Sequence, residues 1–347
     1  GALGLISVTV IGVASTAPGY SLAAGIGGIA GEVGNKIPII MILAFIPMFF
    51  IAKAYEKLNS ADPDCGTIFT WMTRAVGPRS GFITGWGVII ADLLIMPNLA
   101  GISGSYLFKL FGAHGLAEST YWTVLLGAIF IAAMTYVCVV GIELNAKMQV
   151  AFLATEIIVL FIFAATAFFR IYTEDIKGSV KPSLSWFNPF DGNLTMSAAV
   201  GGVLVAVFAY WGWDTAVAVN EETKDSNKTP GRAAILSTLI LLATYVFVSM
   251  GAQSFGGAGQ LAENADADFN GDAFSAVGEA VFGSSTIGRI MEGLLIISIL
   301  SSAAASCQTT ILPASRSMLS MGSHGALPSK FGSINLRRFT PAYSTIY

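Results

Sequence analysis

The sequence predicts an all-α fold, a polytopic bundle of membrane-spanning helices forming a single domain over residues 1–347. Three observations carry this. Hydrophobic residues make up 54% of the chain and charged residues 11%, with a mean hydropathy of +0.70. Soluble domains carry about 25% charged residues, so this chain lacks the polar surface needed to face water on all sides. The apolar residues also fall in long blocks, without a charge between Glu118 and Glu143, Arg232 and Glu263, or Glu292 and Arg316. A hydrocarbon layer roughly 30 Å thick takes about 20 such residues per helix. Finally, the period-two alternation of a membrane β-barrel is absent, and a backbone in lipid must satisfy its own hydrogen bonds, which unbroken spans do as helices.

Eight spans follow in order, at about residues 3–29, 37–55, 81–108, 119–140, 146–169, 195–219, 233–254 and 287–315. Lys and Arg gather on cytoplasmic loops. A cytoplasmic N-terminus leaves only Lys36, Lys109, Arg170, Lys177, Lys181 and Arg289 of the 18 basic residues on the outer side. The predicted topology is therefore multi-pass in the plasma membrane with the N-terminus inside. The chain opens on Gly1 within an apolar run and stops at Tyr347 soon after Phe339–Tyr343, so further helices beyond the eighth are expected.

Other classes are set aside on composition. Cys65, Cys138 and Cys307 are far apart and odd in number, which reads as free thiols. His114 and His324 have no Cys or second His at metal-ligand spacing. The stretch Asp266 to Asp272 lacks the spacing and terminal Glu of an EF-hand, so no metal is expected. A net charge of −3 provides no nucleic-acid footprint. No Ser/His/Asp set or Walker motif is present, so the chain is read as neither an enzyme nor an ATP-driven pump.

Two spans carry residues that helices avoid. The first contains Ala14-Ser15-Thr16-Ala17-Pro18-Gly19-Tyr20-Ser21 and the sixth Phe208-Ala209-Tyr210-Trp211-Gly212-Trp213-Asp214. Proline removes a backbone donor and glycine loosens the chain. Opening a helix in lipid is costly unless the freed groups line a cavity. Breaks in both spans suggest an inverted-repeat transporter. A half-helix N-terminus offers N–H groups to a carboxylate, freed carbonyls accept from an ammonium, and rings hold an apolar side chain or cation. The expected substrate contacts are Ala14 to Gly19 and Phe208 to Gly212, with Trp213 and Asp214 as the gate.

The run Phe208–Asp214, followed by Glu221-Glu222-Thr223-Lys224 and Pro230-Gly231-Arg232-Ala233, resembles the sixth helix and following loop of the amino acid–polyamine–organocation (APC) superfamily. Ala314–Met318, Gly325–Pro328 and Arg338–Pro341 resemble its eighth helix and inner loop. Ala75–Pro78 with Gly85-Trp86 resemble the entry to its third. Together these motifs cover nearly the whole chain. The resemblance implies the LeuT/APC type of fold, with a first repeat over about 3–169 and an incomplete second over about 195–347. Two departures stand out: the family's Gly-Ser-Gly type motif is replaced by Ser15-Thr16-Ala17-Pro18-Gly19, and Glu156 stands where several proton-coupled relatives place a Lys in helix five.

Glu156 lies on the order of 15 Å into its span, and an intramembrane carboxylate usually faces the bundle interior. Paired with Ser301 or Ser302, it is the expected coupling site for a proton or sodium ion. Asp92, near the middle of the third span, is grouped with coupling or with a substrate ammonium. A bonded structural carboxylate is the alternative for either acid. The expected function is secondary transport of amino acids or related amines by alternating access, without a cofactor, with the lipid bilayer and a small-molecule substrate as partners. An uncoupled exchanger and a non-transporting amino-acid sensor are the alternatives.

Overall fold

In the computed structural model, which describes residues 1–190, 194–263 and 273–347, the first apolar run does not continue as one helix. It divides into α1 (Leu5–Ser15) and α2 (Pro18–Val33). Proline lacks the N–H that a first helical turn leaves unused and has its φ preset for a helix, so Pro18 starts α2 instead of kinking a continuous rod. Ala17 before it takes a left-handed backbone (φ 46°, ψ 63°), an uncommon conformation for a residue with a Cβ.

The remaining elements are α3 (Ile37–Ala61), α4 (Ile68–Ala75), α5 (Pro78–Leu110), α6 (His114–Ala117), α7 (Thr120–Val140) and α8 (Ile142–Thr173). After them come α9 (Met196–Ala209), α10 (Thr215–Ala218), α11 (Thr229–Glu263), α12 (Ala273–Phe282), α13 (Thr286–Ser323) and α14 (Ala342–Ile346). Among the described residues the β-type pairings are two isolated bridges. Caps fix two starts: Thr195 Oγ1 accepts the Ala198 N–H at 3.2 Å, and Ser285 Oγ accepts the Gly288 N–H at 3.0 Å.

Helices lie at each of the eight expected positions, and several are longer than their sequence bounds. The 57-residue apolar stretch Leu5–Ala61 supplies the first two. α9 has 14 residues, about 21 Å at 1.5 Å per residue, so the sixth span needs its break and α10 to complete the crossing. The eighth was expected to stop near Ser315, ahead of a charge. Instead α13 runs 38 residues to Ser323, because Arg316 is buried and paired with Glu222 at 2.7 Å. The Asp266–Asp272 stretch lies outside the described residues.

The broken segments occupy the centre. α1 and α2 pack among α8, α11 and α13, and α13 lies along α5. Ile26, Ile40, Leu160, Leu241 and Val248 fill the interior. Ile6, Phe50, Ile83 and Leu94 stand exposed around the outside. With apolar surface inside and out, the molecule is a multi-pass membrane protein whose outer surface is solvated by lipid.

Two faces result. One carries the N-terminus, the ends of α3 and α13 and the starts of α5 and α11; we call it the N-terminal face. The other carries the α2–α3 turn and the start of α13.

Candidate functional site

The two breaks meet. Gly212 has φ +121°, and a Cβ built there would lie 2.6 Å from the Ser15 carbonyl oxygen. Only glycine permits both that backbone and that approach. Hydroxyls join the rest: Ser15 Oγ lies 2.8 Å from Thr215 Oγ1, and Ser306 on α13 donates to the Ser15 carbonyl at 2.8 Å. Tyr245 on α11 donates its hydroxyl to the Ala209 carbonyl at 2.5 Å and reaches within 3.5 Å of Thr16 Oγ1. The carbonyls freed by the interruptions thus find side-chain donors, which an open helix in a water-poor interior requires.

Beside this junction lies a cavity of about 550 Å³ between the breaks and helices α5 and α13. Its deep part is lined by buried Ser15, Thr16, Ala17, Thr215, Ser306 and Thr310. Along α5 it meets Asp92, Ile95, Asn98, Leu99 and Ile102, the i, i+3, i+7 face of one helix. Exposed Ala24, Gly28, Asn98, Val205 and Phe208 form the rim, so the cavity opens toward the face opposite the N-terminus.

Toward the N-terminal face it is sealed. Trp213 is 3% exposed and makes edge contacts with Tyr55 (5.3 Å between ring centroids), which in turn meets Trp71 at 5.1 Å. Below lies the Arg316–Glu222 pair, and Asn220 donates to Asn59 at 2.9 Å. Ser320 donates to Asp64 at 2.9 Å. The N-terminal strand of chain is stitched to the same loop, with Ala2 and Leu3 N–H on the Glu222 carbonyl.

The predicted site residues separate accordingly. Ser15, Thr16, Ala17, Phe208, Ala209, Trp211, Gly212, Asp214 and Asp92 line the cavity. Ala14 is buried behind it and accepts the Ala17 N–H. Tyr210 turns into the core and donates to the Met41 carbonyl at 3.2 Å. Trp213 sits in the aromatic seal, away from the cavity lining. Gly19 faces the other way, toward Glu156 of α8 and Ser302 of α13, and Pro18 is buried outside the cavity lining.

There Glu156, fully buried, accepts the Gly19 N–H at 2.5 Å and the Ser302 hydroxyl at 2.7 Å, both on Oε1. Ser302 Oγ also receives the Tyr20 N–H at 3.3 Å. The positive end of the α2 dipole points at this carboxylate. Oε2 is buried with no partner among the described atoms. Ser301 does not join; its hydroxyl donates to the Ser298 carbonyl at 3.0 Å. Asp92 lies in the cavity instead of beside Glu156.

The half-helix N-terminus therefore differs from the sequence expectation in one respect. Its donors are filled from within the protein, by Glu156 and Ser302, instead of facing the cavity unpaired. Sequence reasoning also missed Ser306, Thr310, Tyr20, Asn98 and Tyr245. A signal for the first two exists: Ser298, Ser302, Ser306 and Thr310 recur every four residues, a polar stripe on one face of an apolar helix. Among the described residues no group of His, Cys, Asp and Glu could hold a metal ion.

Comparison with known proteins gives the same picture. Residues 3–347 match the family profile described as Amino acid permease. The branched-chain amino acid permease BcaP of Bacillus subtilis (strain 168) is 28% identical over 265 residues, 71% of this chain and 53% of that protein. The low-affinity putrescine importer PlaP of Escherichia coli (strain K12) is 23% identical over 71% of this chain and 52% of its own length. The arginine/ornithine antiporter of Latilactobacillus sakei is 25% identical over 99% of this chain and 69% of its own. The chain spans about half the length of the first two relatives. Among solved structures, MhsT in complex with L-phenylalanine aligns over 97% of this chain and 76% of its own, with a TM-score of 0.62 and 15% identity. That likeness shows a shared fold.

Proposed function

The chain belongs to the amino acid permease family, and from that premise we propose that it is the substrate-binding part of a secondary carrier moving amino acids or related amines by alternating access. One observation carries the reading: two helix breaks meet beside a cavity that is open to one face and sealed at the other. A carrier must present its site to one side at a time, and rocking of a bundle around a fixed central site achieves this. The basic-residue bias supports a plasma-membrane protein with a cytoplasmic N-terminus, the cavity then facing outward.

Glu156 is our candidate for coupling. It bridges α2, α8 and α13 through Gly19 and Ser302, so any motion of α2 changes its partners. Its unpartnered Oε2 gives a proton a place to sit, and a proton is the coupling ion we favour over sodium. The likeness to an arginine/ornithine antiporter over nearly the whole chain favours exchange as the second reading. The test is uptake of a labelled amino-acid and amine panel by the protein in liposomes, with and without an imposed proton or sodium gradient. Gradient-driven accumulation supports the coupled carrier, and movement only into preloaded vesicles supports exchange. Ligand binding with no flux under either condition would make the protein a sensor and end the carrier reading.

A further inference from the structure

We propose that the turn 335–340 binds an anionic phospholipid in the leaflet on the N-terminal face. Arg337 and Arg338 hold its phosphate, and Leu336 and Phe339 enter its acyl region. This lipid site is apart from the central cavity and does not depend on the carrier reading. Four observations of the same turn lead to it.

First, the turn sits at the membrane boundary. α7 has 21 residues, about 31 Å at 1.5 Å per residue, which matches a hydrocarbon layer roughly 30 Å thick. The end of α7 on the N-terminal face therefore marks the edge of the hydrocarbon. The Thr340 hydroxyl donates to the Val139 carbonyl at 3.0 Å, one of the last carbonyls that a helix cannot satisfy itself. One turn back on α7, exposed Tyr136 places a ring where aromatic residues line the interface.

Second, the turn is built to hold one shape. The Asn335 N–H meets the Thr340 carbonyl at 2.9 Å, and the Asn335 carbonyl accepts the Phe339 N–H at 2.7 Å. Asn335 Oδ1 accepts the Arg337 and Arg338 N–H groups at 3.0 and 3.3 Å. Phe339 has φ +52°, an outlier for a bulky residue. Strain of this kind persists where the surroundings impose it, and it clusters at functional sites.

Third, the tip presents two apolar and two cationic side chains together. Leu336 is 82% exposed and Phe339 77%. Arg337 and Arg338 are exposed beside them, and neither forms a salt bridge among the described residues. Apolar surface left in water is unfavourable, whereas guanidinium groups match phosphate oxygens. A phospholipid offers phosphate and hydrocarbon within one molecule and uses both.

Fourth, the charge is unopposed within its own segment. From Gly293 to Tyr347 the chain has no Asp or Glu. Beyond α13 and His324 it carries Lys330, Arg337 and Arg338. Basic clusters beside a membrane helix attract anionic lipid.

The test places the full-length protein in membranes of equal phosphatidylcholine and phosphatidylglycerol. Lipids retained in mild detergent are then counted by native mass spectrometry. Each basic side chain at an anionic surface strengthens association about fivefold, so phosphatidylglycerol should be retained about tenfold or more over phosphatidylcholine. Arg337→Gln with Arg338→Gln should bring that ratio within about threefold of parity. Leu336→Ser with Phe339→Ser should lower phosphatidylglycerol retention about fivefold or more with the charge intact. Lys224→Gln with Lys228→Gln, on the same face, should leave the ratio unchanged. All six side chains are exposed, and thermal melting checks that each variant is folded. Should the arginine pair fail that check, Arg338→Gln alone should lower the ratio about fivefold.

Equal retention of the two lipids by the unaltered protein overturns the proposal. So does a ratio that survives the arginine variants. A ratio lowered as far by the Lys224 and Lys228 variant overturns it too, since the preference would then belong to the whole face. Retention untouched by the serine pair overturns the entry of Leu336 and Phe339 into the acyl region.

Discussion

Gly19 and Glu156 are 137 residues apart in sequence, yet the Gly19 N–H meets Glu156 Oε1 at 2.5 Å. The contact ties the first turn of α2 to the middle of α8, and a Cβ at Gly19 would lie 3.2 Å from the same oxygen. A carboxylate without a basic partner is thus held in the bundle interior by a helix end and one serine hydroxyl. Because Oε1 takes both bonds, a proton can come and go on Oε2 without breaking them.

This arrangement makes Glu156→Gln informative. The amide keeps an acceptor for Gly19 but cannot exchange a proton. Gradient-driven accumulation should fall about tenfold or more, since an intramembrane acid with no structural substitute marks the ion path, whereas exchange between preloaded compartments should survive. Flux assays in liposomes decide the point; unchanged accumulation and unchanged pH dependence would remove Glu156 from coupling.

Gly212 should tolerate no side chain. Its φ of +121° and the Ser15 carbonyl 2.6 Å from a Cβ position mean that Gly212→Ala must force the breaks apart. Backbone strain of this kind costs about 1–3 kcal/mol, and the displacement of Ser15 falls on the cavity wall. Thermal melting should show the loss of stability and binding assays a loss of ligand affinity. Wild-type behaviour in both would mean the junction is looser than its geometry indicates.

The pair between Arg316 and Glu222 leaves 2% and 17% of the two side chains exposed. Removing one partner of such a pair costs about 3–5 kcal/mol because the other stays charged and buried. Arg316→Met and Glu222→Leu should each lower the melting temperature, and the double variant should recover part of the loss. Strict additivity in that cycle would show that the two do not act as a pair.

Cys65 reports on the sealed face. It lies in the loop between α3 and α4, 2% exposed, with its thiol 3.6 Å from the Arg316 carbonyl. Burial, reinforced by the Glu221 and Asp64 carboxylates, pushes the thiol well above its ordinary range. The thiolate is the reacting form, so maleimide should modify Cys65 slowly near neutral pH while this face is closed. Mass spectrometry of the Cys65 peptide should show labelling rise about several-fold in Arg316→Met if the pair holds the seal. Rapid labelling of the unaltered protein would mean that the seal is not the resting state.

Much of this was legible beforehand. Uncharged blocks of membrane length gave the eight spans, and Pro18-Gly19 and Trp211-Gly212-Trp213 marked both interruptions. Glu156, Asp92 and the pair Ser301 and Ser302 stand out in the sequence because a polar residue at membrane depth needs a partner. Their sorting was not legible. Trp213 and Tyr210 flank the same glycine as Trp211, yet only Trp211 reaches the cavity; the other two serve the seal and the core. Nothing in linear order tells which side a ring takes once a helix has stopped, because the 3.6-residue period no longer applies there.

By itself, then, the sequence determined the environment, the helices and their interruptions, since these depend on local composition, on the length of lipid to be crossed and on residues that cannot continue a helix. The tertiary structure alone decided which polar groups satisfy one another. Glu156 fills the α2 N-terminus instead of leaving it open, Ser301 turns away while Ser302 joins, Asp92 meets the cavity, and Arg316 is drawn inside by Glu222. Hydrogen bonds and ion pairs act over about 3 Å, and that proximity is set by how whole helices pack, across sequence separations of 94 to 146 residues for the pairs Arg316–Glu222, Gly19–Glu156 and Glu156–Ser302.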